Sequence, residues 1–206
     1  MDALTQAWFA VRYSFRFMAW NLFLAIIPLI LALWLFRGKK SRSPLWWLGL
    51  VLFIAFLPNA PYVLTDSIHG WEVLQQQNSL WILGGLVIPQ YALFISLGFG
   101  AYVLSLIYVG DYLQRWGWGQ KRTAAELFLH AVTAVGIYWG RFERLNSWDF
   151  LAQPGVVLQT AIANFTQFQF IAAWAIAFGV LLVLYTLVKQ LAMRLWQSFN
   201  DSVRSI

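Results

Sequence analysis

The sequence contains no cysteine, which removes disulfides, thiolate nucleophiles and thiolate-ligated metal from consideration. Charge is nearly as scarce: Lys, Arg, Asp and Glu make up 11% of 206 residues, against roughly a quarter in a soluble domain. With 61% hydrophobic residues, such a chain cannot solvate its own surface. Disorder and a small disulfide scaffold are excluded by the same composition. Two histidines are thin material for a transition-metal site, and none is expected. No phosphate-binding Walker loop, His-Glu-x-x-His zinc motif, nucleophile elbow or dinucleotide fingerprint is present, so no cofactor is assigned. What remains is an all-α polytopic membrane bundle whose first partner is the lipid bilayer.

Five runs are read as spans within one integral membrane domain, 1–206. They lie near residues 17–36, 45–64, 80–109, 123–140 and 168–188, judged against the roughly 20 apolar residues a spanning helix needs. The second is apolar for only 13 residues before Pro58, about 20 Å of helix, so a broken helix is predicted at the Pro58–Pro61 turn. The third is too long to stand upright, and it is expected to tilt or kink near Pro89. Residues 1–16 are read as an interfacial helix or an extension of the first span, and 156–167 as interfacial or re-entrant. Residues 45–109 and 123–188 share an order of short helix, aromatic-rich polar exit and long helix, a weak internal repeat. Trp46, Trp47, Trp71, Trp81, Trp116, Trp118, Trp139 and Trp148 fall near span ends, where an aromatic belt is expected.

A net charge of +6 would suggest nucleic acid in a soluble protein. Here it reports topology. Arg37, Lys39, Lys40, Arg42, Arg115, Lys121, Arg122, Lys189, Arg194 and Arg204 gather on one side of the five spans, against Arg12, Arg16, Arg141 and Arg144 on the other. Lys and Arg accumulate in cytoplasmic loops, which places the N-terminus out and the C-terminus in. No basic n-region precedes the first apolar run, so a cleavable signal peptide is not expected.

Two polar segments fall on the outward side. The first runs from Pro58-Asn59-Ala60-Pro61-Tyr62 through Thr65-Asp66 to His69 and Glu72. Its paired prolines interrupt the helix, and Asp66 and His69, three apart, would share a helical face. An Asp beside a His orients the ring and raises its basicity, as acid–base chemistry requires. The second is Gly140-Arg141-Phe142-Glu143-Arg144-Leu145-Asn146-Ser147-Trp148-Asp149. Arg141 and Arg144 suit a clamp on phosphate or carboxylate, and Asn146 to Asp149 reads as a turn or helix cap. Brought together, Asp66, His69, Arg141, Arg144, Asn146 and Asp149 would line one outward-facing cleft. The structural alternative has Asp66 or Asp149 simply neutralising an arginine, as charges near lipid usually are.

Two further features carry paired readings. Glu126 and His130, four apart, suit a proton relay or a snorkelling Glu capped by His. Asn21, about a turn inside the first span, is expected to hydrogen-bond a neighbouring helix and to pack on the Pro58 turn.

Trp20-Asn21-Leu22-Phe23-Leu24-Ala25 before Pro28, the Leu57-Pro58-Asn59-Ala60-Pro61-Tyr62 run with Asp66 and His69, and Gly140-Arg141-Phe142 through Asp149 together resemble a bacterial family. It comprises the membrane proteins grouped as domain of unknown function 1361. The likeness covers roughly residues 17–188 and implies a multi-pass protein of the bacterial inner membrane without an assigned activity.

Three functions fit these residues. In the first, Asn59, Tyr62, Arg141, Arg144, Asn146, Trp148 and Asp149 bind an anionic small molecule or lipid head group, with Asp66 and His69 as tentative catalytic groups. In the second, the protein is a non-catalytic accessory or assembly subunit of a larger membrane complex. The third is a small oligomeric transporter. Nucleic acid is not expected as a partner. The charge bias makes a direct prediction. A fluorescent protein fused after Ile206 should fluoresce in bacterial cells, and alkaline phosphatase fused after Asp149 should be active; the reverse pattern would invert the topology.

Overall fold

A computed structural model describes residues 3–38, 42–66 and 80–204. All regular structure among them is helical. Contacts group into two compact units, Met1–Gln120 and Lys121–Ile206.

The first unit opens with α1 (Ala3–Phe36). Its 34 residues rise about 51 Å at 1.5 Å each, so the helix outruns the ~30 Å hydrocarbon core. The residues before the first span therefore extend it as one helix, and its apolar part is Phe15–Phe36. α2 (Pro44–Phe56) begins at a cap that the sequence writes openly: the Ser43 hydroxyl accepts from Trp46 N–H at 3.4 Å, and Pro44 fills the first turn, where a missing N–H costs nothing.

The junction between α1 and α2 is clamped by aromatic and basic side chains. Trp46 Nε1 donates to the Leu35 carbonyl at 3.2 Å, and the Arg115 guanidinium donates to the Phe36 carbonyl. Two of the last carbonyls of α1, which lack helical partners, are satisfied this way. Arg42 sits 4.8 Å from the Trp118 ring, 5.1 Å from Trp116 and 5.9 Å from Trp46, and its Nε donates to the Tyr112 hydroxyl at 3.3 Å. Trp46 is thus a core side chain, as is Trp139 in the second unit. The aromatic-belt expectation is corrected for these two: each is drawn inward by packing, whereas Trp47 and Trp81 are exposed.

The break predicted at Pro58 is present, but it tightens the helix instead of leaving it. α2 ends at Phe56, and α3 (Asn59–Tyr62) starts after two intervening residues. Leu57 and Pro58 keep right-handed helical angles. Pro61 has no N–H to give the Leu57 carbonyl, so Ala60 N–H donates to it at 3.2 Å. That strands the Phe56 carbonyl, and the Asn59 side-chain amide takes it at 3.0 Å. Further i to i+3 bonds, Leu64 to Pro61, Thr65 to Tyr62 and Asp66 to Val63, carry the tight winding as far as Asp66.

The last helix of the unit, α4 (Ile88–Arg115), is led in by a turn at Leu80–Ile82 and a wide π turn at Leu83–Val87. The π turn includes Gly84-Gly85 and lets Ile88 N–H reach back to the Leu83 carbonyl. Pro89 follows directly, so the anticipated distortion near it takes this form. α1 packs on α2, α3 and α4, and α3 packs on α4.

The second unit contains α5 (Arg122–Tyr138), continued by a π turn at Trp139–Glu143, then α6 (Asp149–Ala152), α7 (Pro154–Phe165) and α8 (Phe168–Arg204). Trp139, Val157 and Phe170 form its buried apolar cluster, and Trp174 Nε1 donates to the Ala131 carbonyl at 3.0 Å. α7 has 12 residues, about 18 Å of rise, short of a crossing.

Among the described residues, four stretches are long and apolar enough to cross a bilayer: Phe15–Phe36, Pro44–Tyr62, Leu83–Arg115 and Phe168–Leu195. α5, expected as a span from residues 123–140, is not among them, because Arg122, Glu126 and His130 dilute its apolar run.

Gly98 of α4 permits a close approach to α3 and the turn after it in the first unit. A Cβ there would meet both Val63 methyls at 2.7 Å and the Ala60 carbonyl at 3.2 Å. Gly98→Ala should therefore destabilise the protein by about 1–3 kcal/mol, the usual range for overpacking. Thermal unfolding in detergent checks this, and Val63→Ala in the same chain should restore part of the loss.

Candidate functional site

The polar residues of the first unit meet where α1 passes the tight turns. Asn21 Nδ2 donates to Asp66 Oδ2 at 3.0 Å, and Asp66 is 1% exposed. Asn21 thus reaches the segment that follows Pro58, as its place in the first span predicts. The sequence reason is plain: a lone amide in an apolar span needs a partner, and Asp66 is the carboxylate that the i to i+3 turns deliver to it. A buried carboxylate is costly unless hydrogen-bonded, so this pair fixes the path of the chain after Tyr62.

The remaining candidates of this segment serve the backbone. Asn59 completes the broken helix at Phe56, and the Thr65 hydroxyl donates to the Tyr62 carbonyl at 2.7 Å. His69 lies outside the described residues, as do Trp71 and Glu72.

The second unit builds its polar end around Trp139. That indole is buried in the apolar cluster, and the wide turn Trp139–Glu143 winds outward from it. The turn closes on Arg144 with φ 54° and ψ 28°, a left-handed conformation. Arg144 is the one non-glycine residue with positive φ among the described residues. Leu145 N–H and Arg144 N–H both return to the Trp139 carbonyl. Arg144 is exposed, Arg141 half-exposed, and Phe142 between them 65% exposed.

Of the turn and the helix cap that their sequence allows, the next four residues form the turn: Trp148 is the cap residue of α6 and makes no side-chain cap bond. Asp149 Oδ2 accepts from Asn146 N–H at 2.6 Å and from Asn146 Nδ2 at 3.4 Å, while Asp149 N–H returns to the Asn146 carbonyl. Asp149 is the first residue of α6, so its side chain closes the turn that leads into that helix, as an Asp or Asn commonly does. The Asp149 carboxylate is therefore engaged by Asn146. Within this unit, among the described residues, no ion pair joins Arg141 or Arg144 to an acid. Trp148 is 44% exposed.

At the opposite end of α5 the pairing differs from the one expected. Glu126 is held by Arg122 Nε at 3.0 Å and Lys189 Nζ at 2.7 Å, both on Oε1. His130 is buried, with its ring edge on Tyr185 at 4.8 Å. The i, i+4 spacing of Glu126 and His130 suggests mutual pairing, but Lys189 is 63 residues away in sequence, and no local pattern announces it. Among the described residues no group of three His, Asp or Glu is placed to hold a metal ion.

Asp66 belongs to the first unit and Arg141, Arg144, Asn146, Trp148 and Asp149 to the second. A helical membrane protein with its polar side chains at helix breaks and helix ends is the class these features define. The chain belongs to the family described as protein of unknown function (DUF1361), whose model matches residues 20–185. No curated protein and no solved structure matches it.

The buried amide–carboxylate pair makes a stability prediction. Asn21→Leu should lower stability by about 1–3 kcal/mol, the cost of orphaning a buried polar partner. The Asn21→Leu/Asp66→Leu double variant should lose less than the sum of the singles. Full additivity in detergent unfolding would show that the two side chains act independently.

Proposed function

We propose that the protein binds an anionic small molecule or lipid head group on the outward side of the bacterial inner membrane, with Arg141 and Arg144 as the anion-holding groups. One observation carries the reading: Arg144 occupies a backbone conformation that favours glycine. A side chain in the left-handed region costs roughly 1 kcal/mol or more, and such costs gather at functional positions. The engagement of Asp149 by Asn146 supports the same reading, since it leaves that carboxylate occupied elsewhere. Trp148 and Asn146 supply an aromatic face and an amide close to the two arginines in sequence. On the first unit, Asp66 and His69 are the acid–base candidates, with Asn59 and Tyr62 as further binding candidates.

The reading takes α5 as a fifth span, with the N-terminus out and the C-terminus in. A second reading, an accessory subunit of a membrane complex, draws on α8. Only 11% of its most apolar window is buried, and lipid or a partner helix would cover that face.

Arg144→Gly separates conformation from charge. It should raise thermal stability, by about 1 kcal/mol if the left-handed strain is relieved in full, and abolish the broadening of the glycerol 3-phosphate ³¹P signal by the detergent-solubilised protein. Arg141→Gln should lose the same broadening without the gain in stability. Broadening that survives both substitutions would overturn the assignment.

A further inference from the structure

The ion-paired end of the second unit contains a groove that the outward reading does not use. Leu182, Tyr185, Thr186, Lys189, Gln190 and Met193 recur at three- and four-residue spacing along α8, so they share one face. That face and the first turns of α5, at Thr123, Glu126 and Leu127, enclose about 300 Å³. A volume of that size is within the range of ligand pockets.

Charge defines what it accepts. Lys189 and Arg122 bring two positive charges, and both ion pairs end on the same Glu126 oxygen, so the cluster keeps one net positive charge. The Lys189 ammonium also lies 4.9 Å from the centre of the Tyr185 ring, an arrangement that favours the cation. A monoanion balances this cluster.

Level and access define the source of that anion. Lys189 follows Phe168, 82% exposed at the start of α8, by 21 residues, about 32 Å of helix. That is close to one hydrocarbon thickness, which puts the ammonium at head-group depth. Next to the groove, Val183, Leu187 and Leu191 are each more than half exposed, so the surface leading into it is apolar.

We propose that this groove between α5 and α8 holds the phosphate of an anionic phospholipid at Lys189 and Arg122, with an acyl chain lying along Leu127, Leu182 and Met193. Basic pockets between membrane helices bind anionic head groups in this way. The inference does not rest on the Arg141 and Arg144 assignment, because Arg122 and Arg141 stand at opposite ends of one helix.

The test is thermal unfolding of the full chain in neutral detergent, titrated with short-chain phosphatidylglycerol, short-chain phosphatidylcholine or inorganic phosphate. Phosphatidylglycerol alone should raise the midpoint. Lys189→Gln should weaken its apparent affinity about fivefold, the share of one charge at an anionic lipid surface. Glu126→Gln should strengthen it by a similar factor, because it removes the carboxylate that competes with the phosphate. Leu127→Trp, which fills the apolar side without touching the ion pairs, should abolish the response, and Arg141→Gln should leave it intact. An equal response to phosphatidylcholine or to inorganic phosphate would overturn the proposal. So would Lys189→Gln and Glu126→Gln shifting affinity in the same direction, or a response that persists in Leu127→Trp.

Discussion

Everything in this protein depends on one constraint: in apolar surroundings a backbone polar group must find its partner within the chain. An apolar helix meets the demand automatically until a proline removes a donor. At Pro58 and Pro61 the chain answers by tightening. Ala60 takes the carbonyl that Pro61 cannot serve, and the Asn59 amide takes the one that Ala60 abandons. At Pro89 it answers by widening, with a π turn through two glycines. The same repair brings Asp66 out of the turns beside Asn21. The polar contacts of this stretch thus follow from donors the prolines remove.

The scarce charges are used in three physically distinct ways. Arg42 and Arg115 belong to the set of basic residues that reads as a topology signal, yet both fasten the α1–α2 junction, one among indole rings and the other on a helix-end carbonyl. A planar, delocalised cation suits both tasks, and a lysine would not replace it. Glu126 gathers Arg122 and Lys189 at one end of α5. Arg141 and Arg144 stand at the other end, where Asp149 is taken by its own turn. Charge in an apolar chain is expensive, and its placement here separates fastening, pairing and presentation.

Much of this was legible in the residues. Composition and run lengths gave the helical membrane class, Asn21 and the Pro58–Pro61 run gave the polar contact and the break, and Asn146 to Asp149 gave the turn. Each is a local signal, carried by neighbours within four residues or by a polar side chain with few choices in an apolar span. The Glu126–Lys189 pair, the burial of Trp46 and Trp139 and the left-handed turn at Arg144 were not legible. A local pattern offers Glu126 a partner at His130, and an indole near a helix end reads as an interfacial anchor until another helix covers it.

The sequence by itself determined what the chain must avoid: exposing backbone to lipid, and burying charge without a partner. Those rules follow from residue type and spacing, because hydrophobic transfer and backbone satisfaction act over a few residues. The tertiary structure alone decided which partner each polar group took. Lys189 reaches Glu126, Asn21 reaches Asp66 and Trp46 reaches Leu35 only once helices distant in sequence pack together. Packing is close, specific and non-local, so no window of sequence contains it.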